Sequence, residues 1–212
     1  MKRWNLFVLL LALLLCACAP EGARGTPPPP DAPQQESQPL SWDSLVWDEH
    51  LELLYAKQFS VDYAQGGFTR ITIDADTYLL VPEGEEPPAD TPAEVVVLRR
   101  PVQNIYLQAT AAMDCFRKLD AMDAITLSGT RAEGWYIPEA RQAMEEGRMV
   151  FAGKYSAPDY ELITSQGCGL ALESTMIYHT PEVKEQLERL GIPVMVERSS
   201  YESHPLARME WV

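Results

Sequence analysis

The sequence predicts an α/β fold: a parallel sheet flanked by helices and preceded by a small antiparallel β meander. Two observations carry this. From Val95 onward, apolar strand-like runs alternate with helix-like segments at intervals of about 20 to 25 residues, and repeated strand-helix-strand units build parallel sheets covered by helices. Before that, from Trp42 to residue 92, short stretches alternate apolar and polar residues and are bounded by Gly and Pro, the period-two pattern of half-buried strands.

Within the meander, spanning 42–92, Leu51, Leu53 and Tyr55 alternate, as do Phe59, Val61 and Tyr63. Gly66-Gly67 then turns the chain into a strand in which Ile71 and Ile73 flank polar Thr72, and Tyr78 to Val81 supplies another. The Pro/Glu-rich stretch 82–92 ends it as a loop. The α/β part, 93–204, offers strand candidates at Asn104 to Leu107, Ala124 to Leu127, Met149 to Phe151, Leu170 to Leu172 and Ile192 to Val196. Between the first two, Met113, Phe116 and Leu119 share one helical face. Pro138 opens a helix that Gly147 stops, and Pro158 to Gln166 forms another stopped by Gly167. The last helix has Thr180 as N-cap, Pro181 at the first position and Glu182 near the positive end of the dipole. Leu187 and Leu190 face inward and Gly191 terminates it.

Residues 1–17 have the order of an export signal: Lys2 and Arg3, then an apolar run from Trp4 to Leu15, then small residues beside cysteine. That run is shorter than the roughly 20 apolar residues a spanning helix needs. Leu15-Cys16-Ala17-Cys18 resembles the lipobox of bacterial lipoproteins, which implies cleavage after Ala17 and a lipid on Cys18. The rival reading is an ordinary secretory signal with incidental cysteines. Two acyl chains at Cys18 would anchor the protein stably, either to the outer face of a cell membrane or to the periplasmic side of an envelope membrane. Residues 18–41 are Pro-rich and nearly devoid of apolar bulk, so they read as a tether. Cleavage removes Lys2 and Arg3 and leaves 15 cations against 31 acids, a formal charge of −16. This acidity argues against nucleic acid as a partner. Only Cys115 and Cys168 remain in the folded part, and their spacing leaves both a disulfide and two free thiols open.

Catalytic signatures are missing: the sequence has no G-x-S-x-G elbow, no H-E-x-x-H and no Gly-rich loop ending in Lys-Ser or Lys-Thr. His50, His179 and His204 are single and scattered, and read as surface or capping residues; no metal site and no cofactor is expected. Ligands of parallel α/β sheets sit outside the carboxyl ends of the strands. The loops that follow the expected strands are Ala109-Thr110, Ser128 to Tyr136, Glu173 to Thr175 and Arg198 to Glu202. Thr110, Arg131, Trp135, Tyr136, Glu173, Ser174, Arg198, Ser199 and Tyr201 therefore lie where a large polar or aromatic ligand would be held by stacking and charged hydrogen bonds. Taken alone, the same residues also fit aromatic packing over a helix and charges at helix ends.

The segment 153–211, with PDYELI, ESTMI, PEVKEQLERLGIPV and SSYESHPL in that order, and the earlier YLLVPEG at 78–84, resemble the substrate-binding lipoproteins of ABC importers for iron-siderophore, haem and cobalamin-type cargo. The likeness covers residues 95–212 well and the meander more loosely. It implies a receptor that captures cargo outside the membrane and delivers it to a permease driven by a cytoplasmic ATPase, with no chemistry on the ligand. It also implies one lobe of a two-lobe protein, with Thr110, Arg131, Trp135, Tyr136, Glu173, Ser174, Ser199 and Tyr201 on one wall of the cleft. The other wall would be a second lobe of about 100 residues that this sequence does not carry, and 205–212 would begin the inter-lobe helix. Ala207 stands where relatives usually have glycine. Family members engage the permease through acidic residues, and Glu182 is the nearest match. Two rivals remain: a truncated lipid-anchored α/β interaction protein without transport activity, and a surface hydrolase built on Ser174 or Ser199.

Overall fold

The computed structural model describes residues 40–211. The expected export signal, Cys18 and residues 19–39 of the tether lie outside the described residues.

Strands β1 (Trp47–His50), β2 (Phe59–Ala64), β3 (Thr69–Ile73) and β4 (Asp76–Val81) pair antiparallel in chain order; the alternation predicts β2 to β4, whereas β1 lies before the first expected run. Gly66 and Gly67 turn β2 into β3 with φ of +80° and +82°, values that residues bearing a Cβ rarely adopt. Two expectations change here. First, β5 (Val95–Arg99) falls beyond the expected end of the meander, yet it joins this sheet in parallel register beside β4, after the loop 82–94 crosses over. The run Val95-Val96-Val97-Leu98 is apolar throughout because both faces are covered: Val96 and Leu98 pack with Ile73 and Tyr78, and Val95 and Val97 with Leu79 and Val81. Second, Leu51, Leu53 and Tyr55 do not form a strand.

The Leu51 N–H still donates to the Val61 carbonyl of β2 at 2.8 Å, but from Leu54 onward the amides find carboxylates instead of a neighbouring strand. The N–H groups of Leu54, Tyr55 and Ala56 donate to the Glu210 carboxylate at 3.0, 3.0 and 2.7 Å. Those of Lys57 and Gln58 donate to Glu202 at 3.0 and 2.9 Å, and the Trp211 indole N–H joins them at 3.1 Å. Backbone donors need a partner, and a side chain serves as well as a ladder. Tyr55 stacks on His204 with ring centroids 4.8 Å apart, and Phe59 meets Trp211 at 4.5 Å.

The second sheet contains β6 (Ile105–Leu107), β7 (Ile125–Ser128), β8 (Val150–Phe151), β11 (Leu170–Ser174) and β12 (Val194–Glu197) in the order β12-β11-β6-β7-β8, with every neighbouring pair parallel. All five lie within about two residues of their sequence-expected positions. Between β8 and β11, β9 (Gly153–Lys154) and β10 (Ala157–Pro158) form a two-stranded ribbon. The helices are α1 (Ala112–Lys118), α2 (Pro138–Glu145), α3 (Tyr160–Ser165), α4 (Pro181–Arg189) and α5 (Pro205–Met209). From β6 the chain builds outward to β8, then returns to place β11 and β12 on the other side. Strand order therefore reverses between β6 and β11.

Period-two alternation divides the core between the two faces of this sheet, except in β7, where a register shift beside Ile105 and Tyr106 puts Ile125 and Leu127 on opposite faces. Ile105, Leu107, Ile125, Leu170 and Leu172 pack against Met113, Ala140 and Ala143 of α1 and α2 and against Ile73, Tyr78 and Leu98 of the first sheet. Tyr106, Leu127, Ala171, Val194 and Val196 pack against Ile163, Val183 and Leu187 of α3 and α4. The buried Tyr78 hydroxyl donates to the Val194 carbonyl at 3.1 Å and so ties the two sheets together.

The helix boundaries follow their signals with small departures. Asp159 caps α3 by accepting the Leu162 N–H at 3.0 Å. Thr180 stands at the N-cap of α4, but its hydroxyl makes no cap bond and donates back to Ile177. Val183 and Leu187, four residues apart, form the inward stripe of α4; Leu190 lies beyond its last turn and is exposed. Leu119 is exposed for the same reason after α1. His204 caps α5, its Nδ1 accepting the Leu206 N–H at 3.1 Å.

Candidate functional site: the carboxyl edge of the parallel sheet

Because the five strands run in one direction, the loops after β6, β7, β8, β11 and β12 all leave from one edge. The reversal between β6 and β11 makes a crevice there, the position at which parallel α/β sheets bind ligands. All eight residues expected to contact a ligand lie on these loops or on the last strand residues before them.

Their roles differ. Thr110 is exposed just after β6. The Arg131 guanidinium lies 4.0 Å from the centre of the Phe151 ring, so the ends of β7 and β8 are joined by a cation-π contact. Tyr136 is 99% exposed, a full aromatic face in solvent. Trp135 corrects its expectation: it is 4% exposed and sits in the core with Ala140 and Met149, its indole N–H donating to the Ser128 hydroxyl at 3.2 Å. A buried indole needs such a partner, and its ring is left no free face for stacking. Ser174 caps the short 3-10 turn that follows β11, accepting the Met176 N–H at 3.4 Å. The Ser199 N–H donates to Glu197 at 2.6 Å. Ser174 and Ser199 have no hydrogen bond to a histidine, and nothing in their geometry activates a nucleophile.

Arg198 organises the β12 end. Its guanidinium donates to Asp74 at 2.9 Å, to the Tyr178 hydroxyl at 3.1 Å and to the Gln58 side-chain oxygen at 3.2 Å, and lies 4.8 Å from the Tyr201 ring centre. Its donors thus serve the protein, and Tyr178 and Tyr201 are left half-exposed on either side of it. Tyr178 was not among the expected contacts; its aromatic ring four residues past the end of β11 was the available signal.

Glu173 is fully buried, and both carboxyl oxygens lack a hydrogen-bond partner. It points to the α3/α4 face, two residues beyond Ala171. Burial pushes its pKa up to about 8, so at neutral pH it carries a proton and presents no charge to a ligand. Beside it, the Tyr106 hydroxyl donates to the Gly153 carbonyl at 2.8 Å, and the Gln108 amide donates to the same carbonyl at 3.1 Å and to the Tyr106 hydroxyl. A Cβ on Gly129 would collide with the Gln108 side chain, so glycine there is what admits the glutamine. Tyr106 and Gln108 were missed because tyrosine fits an apolar strand pattern and Gln108 directly precedes the loop named from sequence.

Elsewhere, one shallow depression is lined by Tyr160, Glu161, Thr164, Ser165, Gln186 and Leu190 and a second by Ala132, Glu133, Arg141 and Glu145; neither contains an expected contact residue. Glu182 is exposed in the first turn of α4. Cys115 and Cys168 are free thiols. Among the described residues no group of three or more His, Cys, Asp or Glu side chains could hold a metal ion, and no helix is long and apolar enough to cross a membrane. Compared with protein-family models, with curated proteins and with solved structures, the chain matches none.

Proposed function

We propose that this chain is the extracytoplasmic solute-binding component of an ABC importer, capturing a metal-chelate-type cargo such as an iron-siderophore, haem or cobalamin. The observation that carries the reading is the gathering of the strand-end loops on one edge of a parallel sheet whose order reverses at β6 and β11. That edge presents Tyr136, Tyr178 and Tyr201 as aromatic surface with Arg131 nearby, chemistry suited to a large cargo with flat and anionic parts. The motif order in residues 153–211 supports the same reading. In it the described residues form one lobe, cargo lies between this edge and a second lobe, and Glu182 on α4 meets the permease.

Titration with ferric chelates, haem and cobalamin, followed by tryptophan fluorescence, tests the reading. A saturable response at one ligand per chain is expected for one cargo class. It should be weak, since a single edge covers one face of a ligand whereas clefts enclose roughly 70 to 90%. Tyr201→Ala should weaken it further. A flat response across the panel removes the importer reading and leaves an interaction platform as the better account.

The lipid anchor is part of the proposal. Cys18→Ser should move the protein from the membrane fraction to the soluble extracytoplasmic fraction, as read by fractionation and immunoblot; unchanged membrane association would exclude attachment through Cys18.

A further inference from the structure

We propose that the β9–β10 ribbon is a proton-linked flap, seated while Glu173 is protonated and released when its carboxylate forms. The inference does not depend on the identity of any cargo. It starts from the register of the two central strands, in which Tyr106 pairs with Ala171 and Leu107 with Leu172. One step further, Gln108 comes level with Glu173, and Gln108 lies on the same face as Tyr106 because their side chains meet. Tyr106, Gln108 and Glu173 therefore form one polar island inside an otherwise apolar layer of Leu127, Ile163, Ile177 and Val196.

The donors of that island are already committed. The Tyr106 hydroxyl and the Gln108 amide both donate to the carbonyl of Gly153, the first ribbon residue. The ribbon folds back tightly at this point: Gly153 has φ of +88°, and a Cβ there would meet the Ala157 carbonyl. Asp159 closes the ribbon by donating its N–H to Ala152 at 2.8 Å, while Lys154, Ser156 and Ala157 are exposed. Tyr155 and Pro158 are half-buried, and the hydrogen bonds that tie residues 153–158 to the body of the protein end on that one carbonyl.

A protonated Glu173 leaves this arrangement alone. A carboxylate does not, because a buried charge without partners is far costlier than a buried acid. The titratable groups that face it are Tyr106 from β6, Tyr160 from α3 and Cys168 from the loop before β11, and each is itself pushed up mainly by burial; the Glu173 charge adds to this, after Glu182 in the case of Tyr160, where Arg189 of α4 acts in the opposite sense. None of the three supplies positive charge. The donors within reach are those of Tyr106 and Gln108. When Glu173 loses its proton to solvent, each donor that turns toward the new carboxylate gives up Gly153, and with both turned the ribbon loses its seat.

Amide hydrogen exchange of residues 153–159, measured from pH 6 to 9.5 and corrected for intrinsic base catalysis, tests this, together with a carbon-13 titration of the Glu173 carboxyl. Ribbon opening in the wild type should increase with pH by up to about tenfold per unit across the Glu173 titration, with the ribbon exchanging faster than the core amides of β6 and β7 at every pH. Glu173→Gln should make ribbon exchange independent of pH. Equal pH dependence in the two proteins, a carboxyl titrating in the ordinary range, or ribbon amides exchanging no faster than those of the core would each overturn the proposal. If the variant fails to fold, the wild type decides: the carboxyl titration and the ribbon amides must share one midpoint.

Discussion

At pH 9, Glu173→Gln should raise the urea midpoint of unfolding well above that of the wild type, while at pH 5 the two proteins should be nearly equal. In the folded chain burial holds this carboxyl up to about 8, against 4.5 for the free group. The folded state therefore binds the proton more tightly than the unfolded state. Its contribution to stability is complete below the free value and is lost progressively as pH rises through the folded one. Each pH unit in that window changes the folding constant by about tenfold, and the whole window by as much as roughly a thousandfold. Release of the ribbon limits the loss, since it lets donors or water reach the carboxylate. Glutamine has no proton to lose and removes the slope. Urea curves collected from pH 5 to 9 check this; parallel dependence in both proteins would mean that Glu173 is solvated.

The second large effect is expected at Glu202. This side chain is buried, yet its carboxylate accepts N–H groups from Lys57, Gln58 and Trp211. Glu202→Ala leaves all three donors without a partner. Hydrogen bonds to charged groups contribute about 1.5 to 3 kcal/mol each when intact and are not additive, so a net loss of about 3 kcal/mol is expected. For a chain of this size that lowers Tm by roughly 6 to 12 °C, measurable by calorimetry; a change below 1 °C would show that water replaces the carboxylate without cost. The same group has the opposite pH sign to Glu173. Burial raises its pKa, but the donors from Gln58, Trp211 and Lys57 outweigh burial and the net shift is downward. Glu210 is also shifted down, by the amides of Ala56, Tyr55 and Leu54 against a smaller effect of burial. Both therefore stabilise the fold above the ordinary carboxylate range, and that contribution fades as pH falls through their lowered values. Acid and alkali thus attack different places: acid the attachment of residues 54–58, alkali the polar island under the ribbon.

The parallel sheet was legible because its strands are short apolar runs separated by helices with local punctuation: Pro138 and Gly147, Pro181 and Gly191. Such signals are complete within a few residues. β5 was not among the expected strands, because a run of valines records burial on both faces but not which sheet provides it. Residues 51–58 were misread because an alternating pattern states which side chains are covered, whereas strand identity depends on where the amides go. Here the amides of residues 54–58 go to the carboxylates of Glu202 and Glu210. The same division holds at the candidate site. The loops were readable from strand ends, and Tyr136 and Tyr201 are exposed there as expected. Trp135 went to the core because Ser128, at the end of β7, offers its hydroxyl to the indole, a pairing that only the folded backbone creates. The burial of Glu173 was equally invisible, since it depends on α3 and α4 closing over β11.

The attachment of residues 54–58 also bears on how the molecule is assembled. Leu54 is separated from Glu210 by 156 positions and Gln58 from Glu202 by 144. At translation speeds of about 5 to 20 residues per second, these amides leave the ribosome roughly 7 to 30 seconds before the carboxylates that complete them. The first sheet can align its strands early, but its flank stays hydrated until Glu202 and Glu210 arrive. A nascent chain halted before Glu202 already carries all twelve described strands and an unfinished margin, which is where proteases and chaperones would find it.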